Sequence, residues 1–101
     1  MKKIKLFILV FLAHLVLNTS ANSQCLPIGI SLGSQLDIDN FSSNYPSCTQ
    51  ILGGVTISGA DISNLNGLSN LTYIGGNLIL LNNPILSNIA GLNNLQYVGG
   101  T

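Results

Sequence analysis

Residues 53–101 read GGVTISGADISNLNGLSNLTYIGGNLILLNNPILSNIAGLNNLQYVGGT, and this stretch decides the fold because it repeats itself. Sliding the sequence along itself places Gly75-Gly76 on Gly99-Gly100 and, at the same offset, Tyr73 on Tyr97. Apolar residues align as well. At this offset Leu65 matches Ile89 and Ile74 matches Val98. At an offset shorter by one residue, Val55 matches Leu78, Ile57 matches Leu80 and Ile62 matches Ile85. The difference indicates one inserted residue near Leu86.

The repeat length predicts a solenoid in which every coil contributes a short strand, because leucine-rich coils of roughly 20–30 residues are typical of such folds. Gly53-Gly54 and Gly75-Gly76 would open successive coils. In Val55-Thr56-Ile57 and Leu78-Ile79-Leu80, alternate side chains would point inward. The predicted repeat core consists of Val55, Ile57, Ile62, Leu65, Leu68, Leu71, Ile74, Leu78, Leu80, Ile85, Ile89, Leu92, Leu95 and Val98.

Asparagine is abundant, with eleven residues after position 23. Asparagine tolerates the left-handed backbone region of tight corners, and its amide can bond open backbone groups. We interpret these residues as structural. The alternative, a prion-like polar tract, is disfavoured by the fixed spacing of the leucines.

The N-terminus has the features of a secretory signal peptide. Residues 1–23 begin with Lys2, Lys3 and Lys5 and continue into the apolar run LFILVFLAHLVL and the polar stretch NTSANS. Small residues at positions 21 and 23 predict cleavage before Gln24. The apolar run is well short of the roughly 20 residues that a membrane span needs. Cleavage is therefore favoured over a retained membrane anchor.

Cys25 and Cys48 are the only two cysteines in the chain. In the oxidising compartment that export implies, they predict a disulfide rather than a redox or metal pair. Two thiols without a nearby histidine could not complete a zinc site. The closed loop would stabilise the fold by about 3 kcal/mol. A lipoprotein site at Cys25 is the alternative, but the three preceding residues lack the small and aliphatic side chains that such a site requires.

The residues before the first repeat are interpreted as a cap that covers the apolar end of the solenoid. Ser34 would begin a short helix from Gln35 to about Asn44, and Pro46 would end it. The helix would carry Leu36 and Phe41 on or near one face, Ile38 partly buried beside them, and Asp37 and Asp39 near its N-terminus.

The two segments NYPSCTQILGG and GGVTISGADISNLNGLSNLTYIGGNLILLNN, which overlap at Gly53-Gly54, resemble the start of a receptor L domain. This family has a leucine-rich-repeat-like, right-handed β-helix and occurs in growth-factor receptor ectodomains and secreted bacterial surface proteins. The resemblance covers residues 25–101, and GLxNLxYIGG is its most specific part. It implies that Cys25 and Cys48 match the family's N-terminal disulfide. It also implies a core ladder of Leu68, Leu71, Ile74, Leu78, Leu80 and Ile85.

Charge is almost absent, since charged residues make up 6% of the sequence against about 25% in an ordinary domain. Beyond His14 the only charged side chains are Asp37, Asp39 and Asp61. A nucleic-acid binder is excluded, because phosphate recognition needs clustered lysine and arginine. No cofactor is predicted either.

The remaining motifs do not support catalysis. The segment GVTISGAD has two glycines at P-loop spacing, but Ala60 and Asp61 stand where lysine and serine or threonine are required. The stretch DIDN resembles the opening of a calcium loop without its glycine or its distant glutamate. A serine nucleophile would have no histidine or lysine as its base. Asp37 and Asp39 are two apart on a helix and do not face each other.

The sequence therefore predicts a mainly β protein in three parts: a signal-peptide helix (1–23), a disulfide-pinned cap (24–52) and two solenoid coils (53–101). We expect a secreted or cell-surface, non-enzymatic module that binds or adheres to an extracellular protein or glycan, with no membrane span after signal cleavage. The alternative is a structural N-terminal fragment of a longer repeat protein, since the sequence stops where the next strand should begin. Tyr73 and Tyr97 would either form an outward recognition ladder or pack on the coil below. An unpaired last strand would invite edge-strand self-association.

Overall fold

The computed structural model describes residues 23–100 of the chain. This part of the chain is mainly β. Its strands are β1 (Gln24–Cys25), β2 (Gly29–Leu32), β3 (Gln50–Ile51), β4 (Gly54–Ile57), β5 (Tyr73–Leu80) and β6 (Tyr97–Gly100). Its helices are α1 (Gln35–Asp39), α2 (Phe41–Asn44) and two 3-10 turns, Asn66–Leu68 and Ala90–Leu92. Apart from Ser23, the predicted signal peptide lies outside the described residues, and no helix within them is long and apolar enough to cross a membrane.

All strand pairs are parallel, in the order β1-β3-β5-β4-β2, with β6 also on β5. The long strand β5 belongs to two rows. Its first residues pair with β3, its last residues pair with β4, and β6 pairs with it from Tyr73 to Asn77. Successive passes of the chain therefore stack as coils, and the sheet curls around the apolar side chains between them.

The register confirms both predicted offsets for the strands. Val55 pairs with Leu78, and Tyr73 pairs with Tyr97. Between these strand pairs, Gly76 donates its N–H to the carbonyl of Gly53 at 3.0 Å. The role of the two glycine pairs as coil openings stays a prediction.

The pairing of β5 with β6 contains one irregularity. Ile74 lies opposite Val98, as the repeat predicts, but the register then shifts and Asn77 lies opposite Gly100. In the ladder, Gly100 therefore lies opposite Asn77 and not opposite Gly76, one position away from its match in the repeat.

The ladder begins earlier than the repeat does. Gln24 and Cys25 pair with Gln50 and Ile51, and β2 pairs with β4 over its full length. Residues 24–52 thus supply strands to the stack in addition to helices. The boundaries at residues 24 and 53 stay a prediction.

The helical segment contains two short helices where one was predicted. The Ser34 hydroxyl accepts the N–H of Asp37 at 3.1 Å and so caps α1. Asn40 separates α1 from α2, with its N–H directed at the carbonyls of Leu36 and Ile38. Ile38 and Phe41 are buried, whereas Leu36 is 64% exposed. The prediction that Leu36 and Phe41 lie on or near one face, with Ile38 only partly buried, is wrong, because the three-residue spacing places Ile38 and Phe41 together on the buried face.

The helices and 3-10 turns stack on each other as the strands do. A Cβ atom on Gly67 would collide with the carbonyl of Ile38, and one on Gly91 would collide with the carbonyl of Leu65. The glycine of each GLxNL motif is therefore required by the close approach of the neighbouring coil. The leucine that follows each glycine, Leu68 or Leu92, is buried.

Most of the predicted core residues lie inside the stack. Buried are Val55, Ile57, Ile62, Leu65, Leu68, Leu71, Ile74 and Leu92. Leu78, Leu80 and Leu95 pack partly buried against them, and Val98 is half-buried. Ile85 and Ile89 are 54% and 55% exposed, so their prediction as core residues is wrong. They lie in the last described coil, where no following coil packs against them.

Amide side chains join adjacent coils. Asn83 donates to the carbonyl of Ile57 at 2.9 Å and accepts the N–H of Gly59 at 2.8 Å. The Gln35 side-chain carbonyl accepts the backbone N–H groups of Ser63 and Asn64 at 2.8 and 3.2 Å. These contacts fit the interpretation of the asparagines as structural residues, since they satisfy backbone groups at corners where strand pairing ends.

Candidate binding surface

The first strand row consists of β1, β3, the start of β5 and β6. Its outward residues form a ladder of Gln24, Gln50, Tyr73 and Tyr97. The rings of Tyr73 and Tyr97 stack with their centroids 4.9 Å apart and their planes at 14°. Tyr97 is 51% exposed, and Tyr73 is half-buried. The tyrosines therefore form an outward ladder and also pack on one another, which combines the two interpretations that the sequence left open. A rigid aromatic pair of this kind offers a large contact area at low entropic cost.

The second strand row consists of β2, β4 and the end of β5. An open groove of about 500 Å³ crosses this row. Gly29 and Gly54, which pair with each other, contribute only backbone to its lining. Gly29 has a φ of 98°, a conformation that side chains other than glycine rarely adopt. The groove is lined by Ile28, Gly29, Ile30, Ser31, Gly54, Val55, Thr56, Asn77 and Ile79.

Two kinds of side chain face this groove. Ile28 is 96% exposed and Ile79 is 40% exposed, so both present apolar surface to solvent. Ser31 and Thr56 stand in one row with Ile79, because the three residues are paired across β2, β4 and β5. The groove thus combines an apolar contact surface with neutral hydroxyl groups.

No carboxylate lines the groove, although Asp37 lines a neighbouring depression that shares Ile30 and Ser31 with it. The carboxylates take part in local structure. Asp37 accepts the N–H of Gly33 at 3.0 Å, and Asp61 accepts that of Gln35 at 3.1 Å. Asp39 accepts a bond from the Gln35 side chain at 2.9 Å. Within residues 23–100, no three histidine, cysteine, aspartate or glutamate side chains come close enough to hold a metal ion. The exposed tyrosines and the groove are suited to contact recognition.

The predicted disulfide is present. Cys25 in β1 is bonded to Cys48, and their Cα atoms are 5.5 Å apart. Cys25 occupies the ladder position that Ile51 holds in the next coil. The bond therefore joins β1, the first rung of the sheet, to the segment that follows α2.

Sequence reasoning missed the groove. The alternation in VTI and LIL already indicates that Thr56 and Ile79 face outward. Nothing in the sequence marks Ile28, and the glycine strip appears only when Gly29 is aligned with Gly54. That alignment joins a strand before the repeat to one inside it, and the repeat pattern gives no register for it.

The model of the receptor L domain matches residues 47–101, just over half of the chain. The chain belongs to the receptor L domain family. Receptor L domains are ligand-binding modules without enzymatic activity. Neither curated proteins nor solved structures gave a match.

Proposed function

We propose that this receptor L domain is a non-enzymatic extracellular or cell-surface module that binds or adheres to a protein or glycan through the outward face of its strands. The observation that carries the proposal is the uncharged face itself. The stacked tyrosines stand in one row of strands and the groove crosses the other, and no charged side chain lines the groove. Aromatic residues surrounded by neutral polar groups are typical of recognition surfaces.

The extracellular location is supported by two independent features. Receptor L domains are extracellular, and the Cys25–Cys48 disulfide fits an oxidising compartment. The predicted signal peptide at residues 1–23 supplies the route of export. We therefore place the module in a secreted or cell-surface protein.

The proposal predicts that Tyr97→Ala weakens partner binding about tenfold or more, because an exposed aromatic at the centre of a contact is a common hot spot. The measurement is binding of the full chain to panels of immobilised extracellular proteins and glycans. Leu36→Ala is the matched control, since Leu36 is also exposed but lies on α1. Equal binding of every hit by the wild type and Tyr97→Ala would show that the tyrosine ladder is not the contact surface.

A second candidate, a structural role in a longer repeat array, is favoured by the open end of the stack. Ile85 and Ile89 are more than half exposed, while Ile62 and Leu65 at the same repeat positions are fully buried beneath the next coil. Within the described residues, β6 pairs only with β5. Such an edge accepts another strand. We propose that this end packs against a further coil or, in its absence, against a second copy.

Sedimentation velocity over a range of concentrations checks this candidate. We expect concentration-dependent association of the wild type, and we expect Ile85→Asn/Ile89→Asn to shift the chain toward monomer, since apolar exposed surface drives association. Leu36→Asn is the control, because it removes an equally exposed apolar side chain from the other end of the fold. A monomeric wild type at every concentration would rule out self-association through this end.

A further inference from the structure

The depression beside the groove, on β2 and the helical segment, has a volume of about 210 Å³. Its buried lining is apolar and consists of Leu32 and Phe41. Tyr45 is half-buried beside them, with its ring centroid 5.2 Å from that of Phe41. The volume is below the roughly 300–1,000 Å³ typical of sites that hold a whole small ligand. The depression is therefore of a size for one side chain with an apolar stem.

Asp37 is the only charged residue among the described residues that line the depression. Its Oδ2 accepts the N–H of Gly33 at 3.0 Å, whereas its Oδ1 bonds to no residue in the part of the chain that the structure describes. No lysine, arginine or histidine occurs among residues 23–100, so none of these residues can neutralise the carboxylate. Within that range, the depression carries an uncompensated negative charge.

Three neutral side chains share the lining with this carboxylate. Ser31, Asn44 and Tyr45 each carry an oxygen that can accept a hydrogen bond, and none of the three side chains bonds to another described residue. An ammonium group has three donors and no acceptor, so it can bond the carboxylate and neutral oxygens together. An anion would be repelled, and a neutral side chain would cover the carboxylate without supplying an opposite charge.

Among cationic side chains, the lining favours lysine over arginine. Arginine typically bonds both oxygens of a carboxylate through its planar fork, but one oxygen of Asp37 already accepts the N–H of Gly33. Lysine needs only the other oxygen, because its ammonium acts as a point charge. Its methylene stem also matches the apolar part of the lining, since lysine buries its stem along apolar surface.

We propose that this depression receives a lysine side chain of a protein partner. The inference rests on the proposed function, because it names one group that a protein ligand presents beside the groove. The ammonium bonds Oδ1 of Asp37, and the stem lies against Phe41 and Tyr45. The partner is thus a protein that exposes a lysine at the edge of its contact surface.

The test titrates the full chain, isolated from a host that exports it, with Nα-acetyl-lysine N-methylamide and follows backbone amide shifts by NMR. The norleucine analogue is the comparison, because it has the same stem without the ammonium. We expect the lysine compound to shift the amides of Gly33, Asp37 and Tyr45 and to bind at least about twofold more tightly than the norleucine compound. Raising the salt concentration from about 0.05 to 0.5 M should weaken its binding, because salt screens an exposed ion pair.

Asp37→Asn removes the charge and keeps an oxygen that can accept the N–H of Gly33. We expect this variant to bind the lysine compound about twofold to fivefold more weakly than the wild type. Asp61→Asn is the matched control, since Asp61 also accepts a backbone N–H, that of Gln35, but lies outside the lining. If Asp37→Asn fails to fold, the norleucine comparison and the salt dependence still decide.

Three results would overturn the proposal. The first is the absence of shifts at the depression up to about 50 mM of the lysine compound, where a ligand with a Kd near 10 mM is mostly bound. The second is equal binding of the norleucine compound. The third is unchanged affinity of a folded Asp37→Asn.

Failure of this inference and failure of the proposed function give different results. A protein partner whose binding depends on Tyr97, together with an empty lysine titration, would overturn the lysine proposal alone. A lysine titration that maps to the depression, together with hits that ignore Tyr97→Ala, would overturn the tyrosine surface alone. Hits that bind Tyr97→Ala and Asp37→Asn as they bind the wild type, with an empty titration, would overturn both.

Discussion

Replacing Cys25 and Cys48 together with serine is expected to lower the free energy of unfolding by about 3 kcal/mol, from loop-closure entropy alone. The bond joins positions separated by 23 residues. It holds β1, a strand of two residues, against β3, which is equally short. Strands of this length contribute few ladder bonds, so the first rung depends on the covalent link.

Thermal melting followed by circular dichroism checks this expectation. A loss of this size in a domain of this length corresponds to a fall in Tm of roughly 10–20 °C. The wild type melted with a reductant is the internal control and should approach the double variant, whereas the variant should not respond to reductant. A variant that melts within about 2 °C of the oxidised wild type would contradict the role of the disulfide, because that difference corresponds to well under 1 kcal/mol.

The repeated part of the fold was predictable because its physics is local and periodic. Apolar residues that alternate in Val55-Thr56-Ile57 and Leu78-Ile79-Leu80 indicate strands, and the recurrence of the pattern fixes their register to within one position. The structure pairs Val55 with Leu78 and Tyr73 with Tyr97 as the repeat indicates. A chain with two cysteines has a single possible intramolecular pairing, so the disulfide also followed from the sequence.

The first rung was not predictable, because it departs from the repeat. Gln24 pairs with Gln50 and Gly29 with Gly54, and both separations along the chain are wider than those of the coils that follow. The wider spacing accommodates α1 and α2, which replace the single 3-10 turn of the later coils. A cysteine stands in the row where the next coil has Ile51. No periodic search finds strands whose spacing and residue types both change.

Burial at the open end was unpredictable for a different reason. A repeat identifies which positions face the interior, but whether such a position is covered depends on the neighbouring coil. Leu65 and Ile89 have the same backbone conformation, with φ and ψ of −116° and 24° against −117° and 29°. Their exposed fractions are nevertheless 0% and 55%. The groove has the same origin, since it forms only when β2 stacks on β4.

Leu65 and Ile89 are therefore expected to differ widely in how much stability is lost when each is replaced by alanine. Leu65→Ala is expected to lower the free energy of unfolding by about 2–5 kcal/mol, because it removes buried methyl groups and leaves a cavity in a close-packed interior. Ile89→Ala is expected to cost less than about 1 kcal/mol, because more than half of its side chain is already in contact with water. Denaturant unfolding of both variants, at equal and dilute protein concentration, measures the difference.

The comparison also tests the state of the open end, because the two substitutions differ mainly in whether a neighbouring coil covers the site. If Ile89→Ala proves as costly as Leu65→Ala, the last coil is covered in solution and its free energy includes an association term. That term would grow with protein concentration, so repeating the Ile89→Ala measurement at higher concentration separates it from packing within one chain. A small cost for Leu65→Ala at every concentration would contradict the stacked core itself, since Leu65 is fully buried within it.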